Sequence, residues 1–266
     1  MMGSTRCASI FWIVGLLTPT IAEAQVLKTT VTLAPAHIRK TAPRCKRDMV
    51  EVEGNYCAGL SQQCLRWLDP QAKTKLQCAE FSPTPACLGK LIREHFCIDR
   101  YEWPNQKGEL PLVAIDWHYA KKNCESQGKR LCIDREWTLA CEGNERWPYP
   151  YGFTRNADAC NIDKVWRKVD FDAYEDPKRR TEELKKLDQR EPIGSHPSCI
   201  SPFGAYDMAG NVDEWVINES GKPFKSGLKG GYWGPVRTRC RPMTTSHEET
   251  FHFYQIGFRC CSDLEK

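Results

Sequence analysis

The sequence predicts an α+β domain that is held together by disulfide bonds, and three observations lead to this prediction. Residues 49–54 alternate apolar and acidic side chains and end on glycine, which is typical of a β-strand with one buried face. Two helices are predicted, from Asp116 to about Gln127 and from Asp134 to Gly143, because each has a capping residue, an apolar face and a terminal glycine. The chain also contains 15 cysteines, which indicates extensive cross-linking in an oxidising compartment.

Residues 1–24 predict a cleaved secretory signal. Arg6 precedes a short apolar run at 10–17, and Ala22-Glu-Ala24 fits a cleavage site after Ala24. The apolar run is too short to span a bilayer, and no other stretch qualifies. We therefore expect a secreted or periplasmic protein without a transmembrane segment. Its mature chain is expected to begin with a flexible segment at 25–44 and to continue as one domain over 45–266.

The cysteines fit this prediction, because loss of Cys7 with the signal leaves an even number. Cys260 and Cys261 are adjacent and cannot easily bond to each other, so they need separate partners. Four cysteines and several prolines lie at about 55–92, which predicts a small insertion with its own disulfides. The pairing within this insertion stays open, because four cysteines allow three arrangements.

Charge excludes one class of partner. The 38 basic and 34 acidic residues nearly balance, so nothing indicates nucleic-acid binding. A second candidate insertion at about 164–190 is dense in both charges and has few apolar positions. This composition predicts a solvated helix or a mobile loop.

One acidic turn is a candidate cation site. Asp207, Gly210, Asp213 and Glu214 place carboxylates around a glycine turn, and Ca²⁺ prefers carboxylate and carbonyl oxygens. The pattern is not that of an EF-hand. The alternative interpretation is an ordinary acidic turn that enters a strand.

Several short blocks, in the same order, resemble the formylglycine-generating enzyme (sulfatase-modifying factor) family. The resemblance covers about residues 49–260 and implies the C-type-lectin-like sulfatase-modifying-factor fold, which has little regular secondary structure. The blocks that carry it are Ile98–Trp103, Gly128–Leu131, Glu136–Cys141, Gly204–Trp215, Gly230–Trp233 and Gly257–Cys260.

The resemblance also implies ligands and bonds. It implies a structural calcium ion held by the Asp207 side chain, the Gly210 and Val212 carbonyls and Glu214. It implies a second calcium ion at the Asn161 side chain and the Ile162 carbonyl, although the loop that supplies the family's remaining ligands is replaced here. Finally, it implies the disulfides Cys124–Cys260 and Cys141–Cys240, and it leaves the other cysteines unassigned.

The resemblance predicts the absence of the family's oxidase chemistry. Enzymes of the family hold copper between two cysteines that lie between a Gly-Gly-Ser sequence and the structural cysteine. Soft thiolates suit Cu(I), so the chemistry depends on that pair. Here the segment 230–240 contains Cys240 alone, at the structural position, and Tyr232 replaces the serine. Copper is therefore not expected.

Two functions stay open at this point. The first is a non-catalytic, monomeric domain that binds a protein, peptide or glycan partner. The second is a divergent metal-dependent oxidoreductase that acts on a cysteine-containing substrate. His247, Glu248, Glu249 and His252 are the candidate ligands for the second function, and a polar loop before the last strand is the alternative interpretation.

Overall fold

The structure is a computed structural model that describes residues 44–71 and 77–265. The predicted signal, and the predicted segment 25–44 apart from Arg44, lie outside these residues. The four helices are α1 (Trp117–Ser126), α2 (Asp134–Glu142), α3 (Phe171–Glu175) and α4 (Arg180–Leu187). The strands are β1 (Met49–Cys57), β2 (Leu60–Ser61), β3 (Cys64–Trp67), β4 (Cys78–Phe81), β5 (Ala86–Cys87), β6 (Leu91–Asp99), β7 (Arg130–Leu131), β8 (Asp213–Ile217), β9 (Ser226–Lys229), β10 (Met243–Thr244), β11 (Ile256–Phe258) and β12 (Cys260–Ser262).

Two four-stranded sheets form the framework. The first has the order β1-β6-β12-β7, and its β1 and β6 are antiparallel with Met49 opposite Asp99. The second has the order β10-β9-β8-β11, in which β11 runs parallel to β8. The predicted strand at 49–54 is confirmed and continues to Cys57. Helices and strands account for less than half of the described residues, as predicted for this α+β fold.

The two predicted core helices are present. Asp116 caps α1, because its carboxylate accepts a hydrogen bond from the Tyr119 amide at 2.7 Å. The predicted cap of α2 is wrong, since Asp134 is the first helical residue and Ile133 is the cap. Ile133 offers no polar side chain, so Glu136 accepts a hydrogen bond from the Ile133 amide at 3.2 Å instead.

The two predicted insertions are stabilised by different interactions, the first by disulfide bonds and the second by apolar packing. Within 55–92, two small two-stranded sheets are closed by the disulfides Cys57–Cys87 and Cys64–Cys78. Residues 164–190 form α3 and α4, so the helical alternative is correct for part of this segment. The segment is also more packed than its charge suggests. It buries three apolar side chains in a cluster with Val212, Trp233 and Tyr254, and these are Val169, Tyr174 and Leu187.

Seven disulfide bonds pair all the cysteines that lie within the described residues. They include Cys124–Cys260 and Cys141–Cys240, the pairs that the resemblance implies, and Cys261 has its own partner in Cys132. Cys124–Cys260 joins residues 136 positions apart, and Cys141–Cys240 joins residues 99 positions apart. Each bond contributes roughly 4–5 kcal/mol to the free energy of unfolding in the chain-entropy account. The remaining bonds are Cys45–Cys97, Cys57–Cys87, Cys64–Cys78 and Cys160–Cys199.

A buried ion pair joins the two sheets to α2. Arg259 and Glu214 are both inaccessible to solvent, and two guanidinium nitrogens of Arg259 each lie 2.7 Å from a carboxylate oxygen of Glu214. The Trp137 indole on α2 donates a further hydrogen bond to Glu214 at 2.7 Å. Arg259 also donates to the main-chain oxygens of Asp99 and Tyr206. Both charges are thus compensated within the core.

The first prediction concerns this pair. Arg259→Met leaves the Glu214 carboxylate buried without a counter-charge, which is expected to lower the free energy of unfolding by about 3–5 kcal/mol. Denaturant unfolding measures the loss. The double variant Arg259→Met/Glu214→Leu is expected to recover part of it, because the Glu214 charge is then removed as well.

A surface pair provides the matched control. Arg66 lies 3.7 Å from Glu80, and both side chains are largely exposed. Arg66→Met is expected to cost less than about 1 kcal/mol. Equal losses for Arg66→Met and Arg259→Met would contradict the central role of the buried pair.

Candidate functional site

A cavity of about 380 Å³ lies beside the segment 230–237, where the resemblance places the oxidase site. Its floor comes from the start of β8 and the end of β9, and its walls come from the loop after β9, from β10 and from the loop before β11. The lining residues are Asp213, Leu228, Gly230, Gly231, Tyr232, Pro235, Val236, Arg237, Pro242, Thr244, His247, Phe251, Phe253, Gln255 and Ile256.

A glycine turn positions the only carboxylate of this lining. Gly230 and Gly231 both have positive φ angles, of 88° and 73°. A Cβ atom on Gly231 would lie only 3.0 Å from the Thr238 side chain, so glycine is required there. In this conformation the Gly231 amide donates a hydrogen bond to Asp213 Oδ1 at 3.0 Å.

Asp213 lacks a cationic partner among the described residues. Burial raises its pKa to about 7, and the neighbouring Glu214 charge adds to this increase. Its second oxygen, Oδ2, accepts no hydrogen bond from any described side chain or amide. Arg237 lines the same cavity, but it is exposed and donates to Thr244 Oγ1 at 3.2 Å. The carboxylate is thus open to a ligand.

The rest of the lining combines one unpaired amide with aromatic rings. Gln255 Oε1 is buried and has no hydrogen-bond partner among the described residues. Tyr232, Phe251 and Phe253 form apolar walls. The His247 ring stacks on Phe251, with 3.9 Å between the ring centres, and its burial lowers its pKa. The cavity is therefore apolar with a few convergent polar groups, which is typical of a ligand site.

The cavity offers no thiolate for copper. Cys240, the one cysteine of the segment 230–240, is bonded to Cys141. A Cu(I) site of the family's type requires two thiolates. The donor set of this cavity therefore does not fit copper.

The four candidate ligands of the oxidoreductase hypothesis do not converge. His247 lines the cavity, but Glu249 accepts a hydrogen bond from the Lys225 amide at 2.7 Å and Glu248 accepts one from the Thr250 hydroxyl at 3.0 Å. His252 is exposed. Across residues 44–71 and 77–265, no group of three or more His, Cys, Asp or Glu side chains could hold a metal ion.

The acidic turn forms as predicted, but Glu214 does not fit the calcium role that the resemblance implies. Both of its oxygens already bind the Arg259 guanidinium, so the counter-charge at this carboxylate comes from the protein. Asp207 Oδ2 accepts a hydrogen bond from the Gly194 amide at 2.8 Å, and burial raises the pKa of Asp207 to about 6. Calcium binding by Asp207, Gly210 and Val212 stays a prediction.

Asn161 and Ile162 present a better arrangement for a cation. The Asn161 side-chain nitrogen donates to the main-chain oxygen of Gln189 and to Asn211 Oδ1. Its Oδ1 atom is buried and has no partner within the described chain. A buried acceptor without a donor is costly, and a cation would satisfy it. Gly210 packs so closely here that a Cβ atom would lie 2.3 Å from the Asn161 main-chain oxygen.

Sequence reasoning missed several cavity residues. Gln255, Phe251 and Arg237 carry no recognisable motif, and they come from loops that only the tertiary fold brings together. Their one signal in the sequence is proximity to the Gly-Gly turn and to the terminal strand.

Within the described residues, the helices are all too short or too polar to cross a membrane.

Known proteins resemble this chain over most of its length. The inactive C-alpha-formylglycine-generating enzyme 2 of Bos taurus is 27% identical over 231 residues, which cover 81% of this chain and 65% of the bovine protein. The Mus musculus protein of the same name is 28% identical over 174 residues, 59% of this chain. The chain thus spans about half to two thirds of the length of these relatives.

A solved structure supports the same fold. The crystal structure of CarF has a TM-score of 0.52 and 16% identity, and the match covers 82% of this chain and 98% of CarF. The sequence pattern of the sulfatase-modifying factor enzyme 1-like domain matches residues 74–264. This chain therefore belongs to the sulfatase-modifying factor enzyme 1-like family.

Proposed function

We propose that this protein is an exported, non-catalytic member of the family that binds a partner through the cavity at Asp213. One observation carries the proposal: the cysteines of the described residues are all in disulfides, so the cavity has no thiolate to hold copper. Seven disulfides also support an oxidising compartment and hence export.

The lining of the cavity supports a binding role. It provides aromatic walls, an unpaired carboxylate oxygen at Asp213 and an unpaired amide oxygen at Gln255. A ligand that donates a hydrogen bond to the open Asp213 oxygen and packs on the aromatic walls would gain affinity. The volume of about 380 Å³ suits a small molecule or one side chain of a protein or peptide.

Thiol counting and oxygen uptake test the loss of catalysis. The exported protein is expected to show no free thiol after denaturation without reductant. It is also expected to consume no oxygen when supplied with Cu(I) and a cysteine-containing peptide, because no thiolate pair is available. Cys141→Ala is the matched control, since it frees Cys240 and should give one thiol. Oxygen uptake that requires the wild-type protein would overturn the non-catalytic assignment.

Photo-crosslinking tests partner binding. A photoreactive amino acid at Pro235, an exposed residue on the cavity wall, is expected to capture a discrete macromolecular species in the exported compartment. The same amino acid at Lys122, an exposed residue on α1 and not part of the cavity lining, is the control. Equal capture at both positions, or none at Pro235, would count against a partner that docks at the cavity.

We also propose a structural calcium ion at the Asn161 side chain and the Ile162 carbonyl. The buried, unpartnered Oδ1 atom of Asn161 supports this site. An ion that binds only the native state stabilises it by about 2.7 kcal/mol at a hundredfold excess over Kd. For a domain of this size, that corresponds to roughly 5–10 °C in Tm.

Calcium removal is therefore expected to lower the thermal midpoint of the wild-type protein. Asn161→Ala should remove this dependence, because the side-chain ligand is lost. Asn123→Ala is the control and should keep the dependence, since Asn123 lies on α1, where its amide donates to the main-chain oxygen of Tyr119, and belongs to neither candidate calcium site. A midpoint that a calcium chelator leaves unchanged would refute the site.

A further inference from the structure

We propose that the cavity at Asp213 binds a positively charged organic group, such as the ammonium of a lysine side chain or of a free amine. This inference rests on the proposed binding function and adds the chemistry of the ligand. Three features of the cavity support this ligand class: its hydrogen-bond acceptors, its charge and its aromatic walls.

Two acceptors lie together at the base of the cavity. The Asp213 amide donates to the main-chain oxygen of Gln255 at 3.0 Å, where β8 and β11 begin side by side. The two residues therefore occupy neighbouring positions, and both line the cavity. Asp213 Oδ2 and Gln255 Oε1 accept no hydrogen bond from the described residues. A ligand in the cavity that donates a hydrogen bond would satisfy Asp213 Oδ2, whereas Gln255 Oε1 is buried away from solvent.

The charge of the site favours a cationic donor. The groups that titrate or carry charge around Asp213 are Glu214, Tyr232, Arg237 and His247. Glu214 is neutralised by Arg259, and burial raises the pKa of Tyr232 and lowers that of His247, so that both rings are neutral near pH 7.

Arg237 is therefore the one Lys or Arg side chain of the cavity lining. The Arg237 guanidinium lies at the exposed rim and forms no ion pair with Asp213, although its charge lowers the pKa of Asp213. Asp213 is half-buried, and its desolvation raises its pKa to about 7, so its carboxylate lacks both full hydration and an ion-pair partner among the described residues. A bound ammonium group would supply the missing charge.

The aromatic walls suit a cation as well. The rings of Tyr232, Phe251 and Phe253 line the cavity together with the acceptors. An organic cation gains from contact with aromatic faces, most of all when it is desolvated. A bare metal ion gains less here, because the described residues include no group of three or more His, Cys, Asp or Glu side chains that could coordinate it.

Calorimetric titration of the full exported protein tests the proposal with three probes. These are choline, N-acetyl-lysine methylamide and the uncharged N-acetyl-norleucine methylamide. The lysine derivative is expected to bind at least about tenfold more tightly than its uncharged counterpart, because only the cation pairs with Asp213. Equal affinity of these two, or no binding of either cation at tens of millimolar, would overturn the proposal.

Three variants distinguish an effect of charge on cation binding from an effect on folding. Asp213→Asn keeps the acceptor for the Gly231 amide, removes the charge and is expected to weaken cation binding about tenfold. Arg237→Gln removes a repelling charge and is expected to strengthen it by about two- to threefold. A folding defect would not strengthen binding. Asp172→Asn, at an exposed carboxylate on α3 that does not line the cavity, is the control and should leave binding unchanged.

The pH dependence provides a further readout. Asp213 is neutral below its pKa of about 7 and charged above it, so the affinity for a cation should increase from pH 6 to pH 8. The Asp213→Asn variant should lose this increase. Wild-type affinity that is flat over this range, or an unaltered increase in the variant, would contradict the role of Asp213.

The two cations distinguish the sources of the charge. Tighter binding of the lysine derivative supports a partner's side chain, and tighter binding of choline supports a small quaternary amine.

The proposed partner function is judged separately by crosslinking at Pro235. If crosslinking finds a partner but cations do not bind, the cation inference alone fails. If cations bind but no partner is captured, the partner function alone fails.

Discussion

The buried pair of Arg259 and Glu214 holds β8, α2 and the C-terminal strands together in the core. It connects the C-terminal strands to β8, and the Trp137 indole adds α2 to the same contact. Neither side chain reaches solvent, so neither charge can be left alone without a large loss of stability. The pair fixes the start of β8, and Asp213 at that position faces the cavity as a consequence.

Disulfide bonds add further long-range restraints to the one that the ion pair provides. Cys124–Cys260 and Cys132–Cys261 tie adjacent residues of β12 to two different parts of the chain. Cys141–Cys240 then connects α2 to the segment beside the cavity. In a domain with little regular secondary structure, such bonds replace much of the restraint that longer helices and strands would provide. They also use every thiol that the described residues could offer a metal.

The cavity lies beside the segment 230–240, where the resemblance implies the oxidase site of the family. The structural cysteine of the segment 230–240 is present, and the thiolate pair is not. What remains are acceptors and aromatic faces around Asp213 and Gln255. This arrangement suits reversible binding, because acceptors and aromatic faces line one cavity. The two inactive relatives named above have a similar sequence over much of this length.

The sequence by itself determined the family, the strand at 49–54, both core helices and the loss of the copper pair, because each is encoded in a local pattern or an ordered block. Local patterns do not specify the cap of α2, since Ile133 has no capping side chain and Glu136, in the first turn of the helix, accepts the hydrogen bond of the Ile133 amide instead. Only the tertiary structure decided that Glu214 pairs with Arg259, 45 residues away, and that Gln255 lies beside Asp213. Burial and long-range pairing depend on how distant segments meet, which local sequence patterns do not specify.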